Sequence, residues 1–383
     1  MKPTGPTSCT CTRERWAWAS SKSPSSTAGR WPVRCRQAPA TPNERSGPKN
    51  IRKGKQFMEW TYPNRQKRDD GQYRRVGFEL EFASVGMDRL GNKIAELYGG
   101  ELTKSSKFRY NITSGEFGDF GLEVDSIQLQ ERTYLAFLEK LGFTPDPDML
   151  DRIDDTLFNL ASIAVPLEIV TPPIPMDRIH ELDRLETALR EMHAKGTRAS
   201  LLYGFGMQFN PEIPARDPFT LLSYLRAFLL LLDWLKQSIN VNLTRRISPF
   251  INDFPPQYVA KVLDPAYRPG QTELIDDYMA YNPTRNRPLD MTCLFAHLDK
   301  KRTLDSIHEP QLVKPRPAFH YRLPDCRIDE PGWSMALEWN RWVTVECLAA
   351  DLGVIDALSR EYLKPGRTPA RWVAFLKDAY LNA

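Results

Sequence analysis

One short segment near residue 75 alternates apolar and acidic residues. It reads Arg75-Val-Gly-Phe-Glu-Leu-Glu-Phe-Ala83. Because successive side chains of a strand point to opposite faces, this period of two predicts a half-buried strand. Glu79 and Glu81 then share one face, and the aromatic and leucine side chains share the other. We expect the folded domain to begin here.

Further strands and helices follow without a regular β-α alternation and without a glycine-rich phosphate loop. Asp217-Pro218 predicts the start of the most apolar helix, with aspartate as its cap. The pattern indicates an α+β fold with a mostly antiparallel sheet and flanking helices. The predicted strands span 75–83, 101–108, 121–129, 164–170, 201–209 and 318–323, and the predicted helices span 88–98, 148–163, 175–195, 217–240, 333–351 and 368–381.

Basic residues are concentrated at the N-terminus. Residues 1–57 hold 12 Lys/Arg and 2 Asp/Glu, which leaves 40 basic and 46 acidic residues, a net charge of −6, in 58–383. A mildly acidic body disfavours nucleic-acid binding, which needs a basic surface. We expect 1–73 to be a disordered, Ser/Pro-rich tail and 74–383 a single catalytic domain. The tail is either a transit peptide or the product of an upstream start codon, with Met58 as the natural start.

The six cysteines include no CxxC pair or Cys/His cluster in the sequence. Free thiols in a reducing compartment are therefore expected, and we place the protein in the cytoplasm. The longest apolar run, 228–232, is far shorter than the roughly 20 residues of a membrane span. No membrane association is expected.

Polar residues recur at alternate positions on several predicted strands. Close carboxylates repel one another unless a cation lies between them, and Mg²⁺ prefers carboxylate oxygens. Two other interpretations remain open: a solvated acidic edge strand, and structural pairing of Glu168 with Lys or Arg. The residues are Glu79, Glu81, Glu123, Asp125, Glu168, Gln208 and Asn210.

Four segments carry a resemblance to a known family. In chain order they are Gly77-Phe-Glu-Leu-Glu-Phe82, Leu167-Glu-Ile-Val-Thr-Pro-Pro173, Phe205-Gly-Met-Gln-Phe-Asn-Pro211 and Phe319-His-Tyr-Arg-Leu-Pro-Asp325. From about residue 74 to 360 the chain resembles the amidoligase family, a branch of the glutamine synthetase and glutamate-cysteine ligase superfamily. The resemblance implies a curved, glutamine-synthetase-like sheet that binds ATP, Mg²⁺ and both substrates.

The resemblance also implies roles for individual residues. Glu79, Glu81 and Glu168 would be magnesium ligands. Asp125 would face the active site, toward the amine substrate or a second metal. Either Asp125 or Glu123 would accept the amine proton, and Glu123 would also contact ATP or substrate. Arg322 would stabilise charge on the transferring phosphoryl group. ATP or substrate would contact Gln208, Asn210, Arg245 and Arg246, although the two arginines could also form a solvated helix end.

The implied reaction joins a carboxylate of an amino acid or peptide to an amine through an acyl phosphate. Two alternatives are a phosphotransferase on a related fold and a degenerate relative that binds nucleotide or peptide without turnover. The second is motivated by Gln208, at a position where many superfamily members carry histidine. His320 lies where relatives often place a glutamate, so a metal ligand expected there is missing or replaced by histidine. A functional link to a glutamine amidotransferase or a peptidase is also expected from the resemblance.

Overall fold

Nine strands pair into one sheet in a computed structural model that describes residues 58–114, 116–124, 167–197, 205–241 and 251–381. Every strand pairing among these residues is antiparallel. The order is β2-β3-β4-β5-β1-β7-β9-β8, with β6 beside β1. The strands are β1 (Arg75–Phe82), β2 (Glu101–Ser106), β3 (Arg109–Ser114), β4 (Gly118–Val124), β5 (Leu167–Val170), β6 (Ile174–Pro175), β7 (Met207–Pro211), β8 (Leu289–Asp290) and β9 (His320–Tyr321).

Helices surround this sheet, so the predicted α+β class and the mostly antiparallel sheet are confirmed for the described residues. Two 3₁₀ segments, Met176–Leu182 and Pro310–Leu312, and a π-helical turn, Lys377–Leu381, complete the helical structure that is described. The α-helices are α1 (Met87–Tyr98), α2 (Asp183–Glu191), α3 (Pro218–Ile239), α4 (Pro256–Leu263), α5 (Gln271–Tyr281), α6 (Thr292–Leu298), α7 (Lys300–Leu304), α8 (Met335–Ala349), α9 (Leu352–Tyr362) and α10 (Pro369–Leu376).

The hydrophobic core lies against one face of the sheet. Phe78 of β1 is fully buried, and its ring centroid lies 5.2 Å from that of Phe209 on β7 and 6.2 Å from that of Trp339 on α8. Trp342, one turn further along α8, packs against Tyr321 of β9. Burial of these rings on one face leaves the polar side chains of β1 and β7 on the other.

The most apolar helix, α3, lies within this core. Asp217 caps it by accepting a hydrogen bond from the Thr220 amide at 2.8 Å, and Pro218 occupies its first turn. The prediction of this cap is confirmed. By length and composition the helix could cross a membrane, but 72% of its apolar window is buried inside the protein, which is the setting of a core helix.

Several boundaries differ from those predicted. One predicted strand, 101–108, is a strand followed by a turn, and a further strand, β3, forms a hairpin with it. The predicted helix 175–195 begins as a 3₁₀ segment before α2. The short strand β8 was not predicted, and helix 148–163 falls outside the described residues.

The packed part of the chain begins before residue 74. Trp60 is 6% exposed, and its indole donates a hydrogen bond to Asp183 at 2.8 Å. Asn340 of α8 accepts hydrogen bonds from the amide and the hydroxyl of Thr61, both at 2.8 Å. The body therefore extends towards the N-terminus at least to Trp60, beyond the boundary drawn at 73.

Two cysteines of the described residues, Cys293 and Cys326, are buried free thiols, as expected. The cytoplasmic location stays a prediction.

Candidate functional site

Three glutamates lie side by side across three neighbouring strands. Glu81 of β1 pairs directly with Glu168 of β5, which pairs with Glu123 of β4. Directly opposed residues of antiparallel strands place their Cβ atoms about 5 Å apart on the same face. We call Glu123, Glu168 and Glu81 the carboxylate row. Arg109 closes its outer end, where its Nε donates to Glu123 Oε2 at 2.9 Å.

Glu79 lies two residues before Glu81 on the same face of β1. Its Oε1 accepts a hydrogen bond from the Asn210 amide at 2.8 Å and lies 3.7 Å from Arg316 Nη2. Its Oε2 lies 3.7 Å from His320 Nε2. Burial alone raises the pKa of Glu79, but His320, Arg316 and Asn210 outweigh it and hold that pKa below its usual value. Glu79 is therefore a carboxylate at neutral pH.

Gln208 connects the carboxylate row to a histidine. Its amide Nε2 donates to Glu81 Oε1 at 3.2 Å, and its Oε1 lies 2.6 Å from His320 Nε2. The Gly206 amide donates to the other oxygen of Glu81 at 2.6 Å. Burial lowers the pKa of His320, but Asp290, Cys293 and Glu79 outweigh it and raise its pKa to about 9.

Cationic side chains line the opposite end of this face. Arg322 follows β9, and its Nη1 donates to the Arg285 carbonyl at 2.7 Å. Burial lowers the pKa of Arg322, an effect that the charges of Asp290, Glu81 and Glu79 oppose. Arg316, whose Nη2 lies 3.7 Å from Glu79, and Arg322 thus bring two guanidinium groups to the β9 side of this face.

Most of the predicted site residues that the structure describes meet on one face of the sheet. Glu79, Glu81, Glu123 and Glu168 share that face, with Gln208 and Asn210 beside them. The two amides were predicted to contact ATP or substrate, and here their nitrogens donate to the carboxylates. Three predicted residues fall outside the described part of the chain: Asp125, Arg245 and Arg246.

Sequence reasoning missed several contributors. Asp290 ends the two-residue strand β8, and Arg285 and Arg316 lie in loops. Segments so short have no hydrophobic period that could reveal their position. One feature of the sequence could have pointed to Asp290: it is a charged residue between two apolar ones, in Leu289-Asp290-Met291.

The ligand atoms that the side chains offer decide which metal ion can bind. The carboxylate row and Glu79 offer only oxygen atoms, which Mg²⁺ prefers. Within the described residues Glu168 directly opposes two other glutamates, an arrangement that a divalent cation would relieve. Glu79, Glu81 and Glu168 thus fit a magnesium site.

A comparison with protein families assigns the chain to one of them. The family described as "Putative amidoligase enzyme" matches residues 72–344 of the chain. The match includes every residue of the carboxylate row. A search of curated proteins and a search of solved structures gave no match. The chain belongs to the amidoligase family, which indicates a ligase that forms amide bonds.

Proposed function

We propose that the protein is an ATP- and Mg²⁺-dependent ligase that joins a carboxylate of an amino acid or peptide to an amine. The observation that carries the proposal is the carboxylate row, in register across β4, β5 and β1. Carboxylates directly opposed on adjacent strands repel one another, and a divalent cation between them would reverse that repulsion. Family membership supplies the reaction class.

We assign Glu79, Glu81 and Glu168 as the residues that would hold magnesium. When bound, Mg²⁺ and ATP would supply charge neutralisation and the phosphoryl group that activates the acid. Hydrogen bonds from Asn210 and Gln208 orient two of these carboxylates before any ion binds. Such preorganisation lowers the cost of assembling a metal site.

The cationic end of the face would receive the acid substrate and the phosphoryl oxygens. Arg316 lies 3.7 Å from Glu79, and Arg322 follows β9, which is two strands from β1 on the side away from β5 and Glu168. Guanidinium groups stabilise phosphoryl and carboxylate oxygens with paired hydrogen bonds. Arg245 and Arg246 are further proposed contacts to ATP or to the acid.

The proposed reaction has two steps. The substrate carboxylate attacks the γ-phosphate, which gives an acyl phosphate and ADP. The amine then attacks the acyl carbon, phosphate leaves, and a base accepts the amine proton. We assign that base to Asp125, because Glu123 is already bound to Arg109. Neither step requires a Ser, Cys or His nucleophile.

The test is release of phosphate and ADP by the full-length chain with Mg-ATP and mixtures of amino acids, peptides and amines. A ligase releases both products only when acid and amine are present together. A stable phosphorylated acid without amine dependence would indicate a phosphotransferase. Nucleotide binding without turnover across all mixtures would indicate the degenerate relative, and absence of nucleotide binding would overturn the proposal.

Glu79→Gln tests the proposed role of Glu79 as a magnesium ligand. Removal of one ligand charge should weaken Mg-dependent ATP binding by about 100-fold, measured by calorimetry with and without Mg²⁺. Glu191→Gln, at an exposed glutamate of α2, is the matched control and should bind as the wild type does. Unchanged Mg²⁺ dependence in Glu79→Gln would refute its role as a ligand.

A further inference from the structure

Three side chains with different ligand atoms converge at the end of the sheet beyond β7. Asp290 of β8 pairs across the strands with His320 of β9, and Cys293 lies in the first turn of α6. One nitrogen of the histidine, the thiol and one carboxylate oxygen all lie within 4.8 Å of one another. We call these three residues the histidine cluster. Each is at most 2% exposed.

The hydrogen bonds of Gln208 determine which ring nitrogen faces the cluster. Its amide nitrogen donates to Glu81, so its amide oxygen is the atom that lies 2.6 Å from His320 Nε2. His320 Nε2 must therefore carry a hydrogen and donate it. The other nitrogen, Nδ1, is buried without a hydrogen-bond partner and lies 3.5 Å from Asp290 Oδ2.

Asp290 is oriented in the same way. Its Oδ1 accepts hydrogen bonds from the amide of Thr292 at 2.8 Å and from the Thr292 hydroxyl at 2.6 Å. Its Oδ2 is buried without a hydrogen-bond partner, and the nearest arginine nitrogen, Arg285 Nε, is 3.8 Å away. The Asp290 oxygen and the His320 nitrogen thus face each other at the distance of an ion pair, but neither has a hydrogen bond, and buried polar atoms without hydrogen bonds are costly.

We propose that the histidine cluster binds a thiophilic divalent cation of the zinc class through Asp290 Oδ2, Cys293 Sγ and His320 Nδ1. In a tetrahedral site with bonds of about 2.1 Å, nitrogen and oxygen ligands lie roughly 3.4 Å apart, close to the 3.5 Å observed here. Carboxylate and thiolate together balance a charge of two. A ring whose second nitrogen donates to an oxygen is the usual arrangement of a metal-bound histidine.

This site differs in chemistry from the carboxylate row. Mg²⁺ avoids sulfur and nitrogen ligands, whereas Zn²⁺ accepts all three atoms of the histidine cluster. Binding releases the proton of the thiol and any proton on Nδ1. The cation would hold the ring of His320 in place, and through Gln208 it would position Glu81.

The test uses Co²⁺ and Zn²⁺ alone, added without nucleotide or substrate to full-length protein freed of metal with a chelator. Co²⁺ reports sulfur ligation through a thiolate-to-metal charge-transfer absorption. We expect one equivalent to bind with that absorption, and Zn²⁺ to displace it. Cys293→Ala should abolish the absorption and weaken binding by about 100-fold or more.

Cys326→Ala is the matched control, because Cys326 is the other buried free thiol of the described residues. It should keep both the absorption and the affinity. Should Cys293→Ala fail to fold by circular dichroism, Asp290→Asn serves instead, since its amide oxygen can keep the hydrogen bonds to Thr292. No binding in the wild type, or binding unaffected by a folded variant of the cluster, would overturn the proposal.

Discussion

Charged side chains lie on both faces of this sheet, but their neighbours differ. On one face a carboxylate is paired with a cation, and on the other face carboxylates lie beside one another. Beneath the sheet, Arg74 and Glu346 form a buried pair with two parallel hydrogen bonds of 2.7 and 2.9 Å. Tyr224 and Trp342 also donate to Glu346, so protein groups satisfy both of its oxygens. On the other face Glu168 instead opposes Glu81 and Glu123.

The two groups differ as a structural ion pair differs from a set of proposed metal ligands. The pair beneath the sheet is complete, and loss of either partner leaves a buried charge uncompensated. The carboxylate row is only partly buried and places three carboxylates side by side, where a bound cation would lower their mutual repulsion. The sign of the opposing side chain separates the two groups: a guanidinium opposes Glu346, whereas carboxylates oppose Glu168.

The largest expected effect on stability comes from removing one partner of the buried pair of Arg74 and Glu346. Arg74→Met should lower the free energy of unfolding by about 3–5 kcal/mol, because Glu346 would stay buried without its cation. Urea unfolding followed by circular dichroism measures the change. The double variant with Glu346→Leu should regain part of the loss. A single variant as stable as the wild type would show that the pair is not structurally required.

Glu168→Gln should weaken Mg-dependent nucleotide binding by about 100-fold, because the substitution removes the charge of one proposed magnesium ligand. Calorimetry with and without Mg²⁺ measures the change, and circular dichroism of the same preparation checks that the variant is folded.

One result would contradict the assignment of Glu168. Unchanged Mg-dependent binding in a folded Glu168→Gln variant would mean that this glutamate is no ligand. Glu191→Gln again provides the control for removal of a surface charge.

Local patterns predicted the carboxylate row better than they predicted its neighbours. The period of two in β1 placed Glu79 and Glu81 on one face, and a charge among apolar residues singled out Glu168. The hydrogen bonds of Gln208 and Asn210 depend on the pairing of β1 with β7, which no local period encodes. Asp290 and His320 meet through strands of two residues, too short for a pattern.

The smallest expected effect on stability concerns the carboxylate that caps the N-terminus of α3. Asp217 caps α3, and Asp217→Ala should cost about 1 kcal/mol at pH 7. Burial raises the pKa of Asp217, but hydrogen bonds from Thr220 outweigh it and lower that pKa below its ordinary 3.8. The contribution of the carboxylate is therefore complete above pH 3.8 and is lost as the pH falls through the lower, folded-state pKa. Urea unfolding of wild type and variant should differ at pH 7 and converge in strong acid, whereas a constant difference would assign the effect to packing rather than to charge.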